Sequence, residues 1–189
     1  MKVGDRVNTL DSGVQSVRWI GVKHFDQSEL KATPKLRPIC VARDAFAEGY
    51  PNRDLLVSRQ HRFLIRSKIA QRMFNEAEIL VAAIRLLPLK GVSIQEDTAP
   101  VSYFHLLFDE HEIVWANGAL AESLYIGPNA VNALPPKSQK EIFGLFPKCG
   151  RVNPSLARPA PKGAQIRSLL ERHQKNERVL YQKQPQAVS

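Results

Sequence analysis

Ser58 and His61 stand three residues apart in the stretch Leu55-Leu56-Val57-Ser58-Arg59-Gln60-His61-Arg62-Phe63-Leu64-Ile65. A hydroxyl and an imidazole at that spacing can both reach one backbone amide, the first to orient its carbonyl and the second to protonate its nitrogen. Acyl transfer also requires a nucleophile, and this stretch supplies none. His105 is a third candidate. Strand alternation places it on one face with Tyr103 and Leu107, opposite Phe104, Leu106 and Phe108. A lone histidine on such a face is more often a satisfied core residue than a proton carrier. His24, among polar residues, and His111, beside the acidic turn Asp109-Glu110, read as exposed. Cys40 and Cys149 lie far apart, match no metal-ligand spacing and read as plain thiols. The sequence implies no metal and no cofactor.

The elements that must position these residues are mostly strands. The runs flanking Ser58 and His61 are short, apolar and rich in branched residues, so the turn between them is anchored on both sides. Val3–Leu10 and Val14–Val22 form a hairpin about Asp11-Ser12-Gly13, where Gly13 can take the positive φ such loops need, and Gly21 marks a bulge or bend. Leu36–Val41 is a further short strand, confined by Pro34 and Pro38 to a sheet edge or a strand start. Asp44–Asp54 is a loop. Residues Ser67–Leu87 carry a helical period at Ile69, Met73, Ala77, Leu80, Ile84 and Leu87, yet Ile79-Leu80-Val81 fits a buried strand equally well. The stretch Val101–Gly118 divides into two strands about Asp109-Glu110.

After Gly127 the character changes, with eight of the 13 prolines lying from Pro128 onward. Ser138-Gln139-Lys140-Glu141 has the form of a capping box ahead of Ile142, Phe143 and Phe146, with Pro147 as the stop. A second helix is expected from about Lys162 to Val179, docking through Ile166, Leu169 and Leu170 and fraying beyond. The reading is therefore a β domain over residues 1–127, a basic α-helical extension over 128–183 and a disordered tail over 184–189.

Composition narrows the class. The chain has 189 residues, 43% of them hydrophobic, enough to fill a core. Its longest apolar stretch, Ile79–Leu89, is interrupted by Arg85 and Pro88 and is too short to span a membrane. The first residues contain no hydrophobic segment of the signal-peptide kind. The net charge of +9 is uneven: residues 1–128 hold 16 Lys+Arg against 15 Asp+Glu, and residues 129–189 hold 11 against 3. A basic tail of that kind can hold a polyanion weakly, although it carries no recognition motif, and a solvated helix face is the plainer reading.

Taken together, Val3-Gly4-Asp5-Arg6-Val7, the Asp-x-Gly turn, Gln15-x-Val17-Arg18-Trp19-Ile20-Gly21, Leu56-Val57-Ser58-x-x-His61-Arg62, Tyr103-x-His105-Leu106, His111-Glu112, Ala116-x-Gly118 and Ala121-Glu122-Ser123 follow one order and spacing. That series resembles the bacterial branch of the Hint (hedgehog/intein) domain family over residues 1 to about 125. The resemblance implies a mainly β fold, a horseshoe of curved antiparallel strands, here with a short α-helical C-terminal extension. It also implies self-cleavage, in which the domain's own polypeptide is the substrate and a cysteine attacks its preceding carbonyl to form a thioester. Ser58 and His61 match the Thr/Ser and His of the family's Thr-x-x-His motif. His61 would protonate the departing nitrogen and Ser58 would orient the carbonyl, while His105, where splicing members place an aspartate, would be a second proton-transfer group.

The chain departs from the family pattern in two ways. The family's opening block, with its cysteine and following Gly-Thr, precedes the Val-Gly-Asp motif, whereas this sequence starts at that motif. Neither Cys40 nor Cys149 matches the nucleophile's position, and nothing after Asn117-Gly118 resembles the end of a splicing member. The leading expectation is an N-terminally truncated and catalytically silent domain with an opened sheet edge. The alternatives are an active domain whose start lies further upstream and a retained module that binds protein or polyanion.

Overall fold

The computed structural model describes residues 1–97, 99–127, 135–146 and 155–182. Its strands are β1 (Arg6–Asn8), β2 (Val14–Ser16), β3 (Trp19–Phe25), β4 (Ile39–Val41), β5 (Leu55–Val57), β6 (Arg62–Arg66), β7 (Glu78–Ala82), β8 (Val92–Ile94), β9 (Val101–Leu107), β10 (Ile113–Ala116) and β11 (Ala119–Glu122). Four helices accompany them: α1 (Gln27–Ala32), α2 (Lys68–Phe74), α3 (Pro136–Leu145) and α4 (Gly163–Lys175). The strands form the sheets β1-β2, β10-β11-β6-β7, β3-β9 and β5-β4-β8, all antiparallel. The mainly β expectation is met.

The predicted hairpin forms only over Arg6–Asn8 and Val14–Ser16, with Gly13 at φ 65° in its turn; the rest of the second run belongs to β3, which leaves the hairpin to pair with β9. Pro38 does precede a strand, but β4 is the central strand of its sheet, flanked by β5 and β8, and not an edge. The proline stands one residue ahead of the ladder and so removes no hydrogen bond from it. The ambiguous stretch 67–87 contains both predicted forms. Ser67 caps α2 by accepting the Ala70 N–H, Asn75 ends the helix in the left-handed region, and β7 follows. The two periods overlap in sequence because the changeover takes only three residues.

Gly21, expected at a bulge or bend, lies instead within the unbroken register of β3, paired with His105. A Cβ there would meet the Trp19 ring at 2.3 Å, so the glycine is where the indole folds back over its own strand. That indole donates to Glu141 at 2.9 Å and packs on Leu107 and Ile142, docking α3 against β3 and β9. α3 begins at Pro136 and not at the predicted capping box, because a proline at the first helical position loses nothing by lacking an N–H.

The main core gathers Ile39, Val41, Phe63, Ile65, Ile79 and Val81 from the sheets together with Ile166, Leu169, Leu170 and Leu180 from the C-terminal segment. α4 ends at Lys175, before the predicted Val179, yet the chain beyond it does not fray. Leu180 and Tyr181 are buried, Arg66 N–H donates to Leu180 O and Gln182 N–H to Arg66 O. The segment 155–162 runs over the outside of β7, where Leu80 N–H donates to Pro159 O at 2.8 Å. Arg158 pairs with Asp11 and Glu78. Residues 184–189 and Cys149 lie outside the described residues, as does Pro147.

Candidate active site

The turn carrying Ser58 and His61 is held from both ends. His61 N–H donates to Ser58 O at 3.1 Å, Ala83 N–H to His61 O at 2.9 Å and Ile84 N–H to Arg59 O at 3.0 Å. The imidazole stands edge-on to the Phe63 ring, with centroids 5.6 Å apart. These bonds fix the backbone of the turn on the 3₁₀ segment at 83–86, leaving Ser58 and His61 facing inward to a cavity of about 570 Å³.

The same cavity is lined by His105 from β9, Glu122 from the end of β11, and Met1. All three site residues expected from the sequence, Ser58, His61 and His105, are thus brought together. The walls are mostly apolar, and Leu56, Phe104 and Trp115 among them are exposed. Among the described lining residues there is no cysteine. Cys40 lies on β4 and is not among the residues that line the cavity, and burial, followed by Asp54, raises its thiol pKa.

The electrostatics of the cavity set its proton-transfer chemistry. Burial lowers the His61 pKa to about 4, with His105 and Arg62 acting in the same direction and Glu122 against them. Burial also lowers that of His105, helped by Lys23. Both rings are therefore neutral at pH 7. Burial works to raise the Glu122 pKa, but hydrogen bonding from His111 and the charges of Arg62 and His61 outweigh it, and the carboxyl sits below its ordinary value. Its oxygens accept the Arg62 backbone N–H and guanidinium, each at 3.0 Å.

A neutral imidazole in such a place can take a proton from a nucleophile. The imidazolium it becomes is a strong acid, steadied by a nearby carboxylate, and can pass that proton to an amide nitrogen.

His111 is not exposed as expected; its side chain is only 2% open to solvent. The acidic turn beside it is at the surface, but the ring points inward, accepts the Ala157 N–H at Nδ1 and lies edge-on to Tyr125. His24 is exposed as expected, 2.7 Å from the Ser102 hydroxyl. Sequence reasoning gave no role to Glu122. The only signal was its place in Ala121-Glu122-Ser123, where an acid at the end of a strand reads as solvent-facing.

Neither the curated proteins nor the solved structures contain a match to the chain. A family model for the Hint domain matches residues 1–128, a span that takes in all eleven described strands and the Ser58, His61 and His105 cavity, so the chain belongs to the Hint domain family.

Proposed function

We propose that the cavity activates a peptide carbonyl for acyl transfer within the domain's own polypeptide, and that this chain by itself is silent, in keeping with the lack of a cysteine among the described residues that line the cavity. One observation carries the reading: Met1 lines the same cavity as Ser58, His61 and Glu122. Any polypeptide joined to Met1 would leave from the wall of the cavity that also holds the imidazole.

In the step envisaged, a thiol sulfur from such a segment attacks the carbonyl carbon of its own preceding residue. His61 takes the thiol proton and delivers it to the amide nitrogen as the C–N bond breaks, and Ser58 holds the carbonyl oxygen. The product is a thioester with a free amine, which an added thiol or hydroxylamine then opens. His105, neutral and on the facing strand, is placed to relay a second proton. Without the nucleophile, the acid and the orienting hydroxyl accelerate amide cleavage only weakly.

Intact mass in excess thiol or hydroxylamine tests both halves. The chain as it stands should keep its mass, and cleavage would overturn the silent half. A chain extended ahead of Met1 by a reporter segment and a block bearing Cys and Gly-Thr should split at the cysteine, and His61→Ala should abolish the split. If the folded extended chain stays whole, carbonyl activation is overturned.

A further inference from the structure

Glu122 is the only carboxylate among the described cavity-lining residues, and one of the groups set against it, His111, is not part of that lining. Its side chain is 10% exposed. Three charged or titratable groups face it from three parts of the chain: Arg62 at the start of β6, His61 in the turn before it, and His111 from the connection between β9 and β10. Arg62 satisfies one oxygen through its backbone and the other through its guanidinium. His111 Nε2 stands 3.4 Å from Oε2, within ion-pair distance but outside hydrogen-bond geometry, and this buried nitrogen has no hydrogen-bond partner among the described residues.

The tautomer of His111 follows from its other nitrogen. The Ala157 amide donates to Nδ1 at 3.0 Å, which requires an unprotonated lone pair there. A neutral ring must then carry its proton on Nε2, the nitrogen 3.4 Å from Glu122 Oε2. Ala157 is itself anchored by its neighbours: Arg158 grips Asp11 and Glu78, and Pro159 O takes the Leu80 N–H.

We propose that His111 is a positioning residue: held in one tautomer by the Ala157 amide, it fixes the Glu122 carboxylate in the wall of the His61 cavity, so that residues 155–159 secure a charge of the site without entering it. Its meaning for catalysis rests on the carbonyl-activation reading, since a carboxylate held beside His61 supports the imidazolium that the proton transfer creates. Its test does not depend on cleavage, so a chain that never cleaves can still support it.

Ring-nitrogen NMR of the intact chain at neutral pH should find His111 as the Nε2–H tautomer; the Nδ1–H tautomer overturns the proposal. Side-chain carboxyl NMR should find Glu122 flat from about pH 5 to 8. In His111→Phe the buried carboxylate loses its donor, and its titration should move up into that window by about one unit or more. His111→Gln, whose amide can donate in place of Nε2, should restore the flat profile. A flat profile in His111→Phe overturns the proposal. Should that variant not fold, Ala157→Pro removes the amide hydrogen while leaving the His111 ring in place. It should mix the His111 tautomers and raise the Glu122 titration, and an unchanged tautomer there overturns the proposal equally.

Discussion

His61 combines a buried imidazole with a fixed backbone, and the cost of that burial should be measurable. Its pKa in the folded chain is about 4 against an ordinary 6.5. Below pH 6.5 the unfolded chain gains a proton that the folded chain refuses, so stability falls as the pH drops from 6.5 towards 4 and levels off below it. His105 and His173 are shifted the same way, and the lowered carboxyl of Glu122 adds its own loss at more acid pH. Urea unfolding at pH 7 and at pH 4.5 should show His61→Gln losing less stability than the unaltered chain, by up to about 3 kcal/mol. Ser58 and His61 were legible because their chemistry and spacing are local. Glu122 and His111 were not, because the partners that bury them, Arg62 and Ala157, are 60 and 46 residues away. Nothing in the turn Asp109-Glu110 hints that the next side chain points inward.

At the scale of elements, Ser67 does two tasks. Its oxygen accepts the Ala70 N–H at the start of α2 and lies 3.0 Å from His173 Nε2 on α4. His173 Nδ1 faces the Arg178 carbonyl at 2.9 Å, which can only accept, so that nitrogen holds the proton and Ser67 donates to Nε2. Ser67→Ala should therefore cost about 1–3 kcal/mol, read from chemical unfolding, as both a helix cap and a buried acceptor lose their partner. Sequence periodicity could not separate α2 from β7, since Met73, Ala77 and Leu80 satisfy a helical spacing across the break. The cap at Ser67 and the left-handed Asn75 are what divide them. The start of α3 was misplaced for a comparable reason: Ser138–Glu141 has the composition of a capping box, but Pro136 opens the helix before it.

For the whole molecule, the C-terminal segment contributes Ile166, Leu169, Leu170 and Leu180 to the core shared with the sheets. Burying four such side chains stabilises by about 6–12 kcal/mol, as much as the net stability of an ordinary domain. Residues 1–127 alone should accordingly show no cooperative thermal transition by circular dichroism, whereas residues 1–182 should. The mainly β class was readable because branched runs and turn residues report it locally. The docking of α4 through Ile166, Leu169 and Leu170 was readable too, from its apolar stripe, whereas the burial of Leu180 and Tyr181 beyond it was not, since the basic, polar stretch that precedes them points to a frayed end.

The bond from Leu80 N–H to Pro159 O closes the outer side of β7 with a residue that has no N–H to return. A ladder that ends on proline cannot recruit another strand at that position. The consequence concerns behaviour at high concentration: with residues 155–162 in place, β7 is capped at Leu80 against pairing with another copy of this chain, and loss of that segment would free the amide there to seed aggregation.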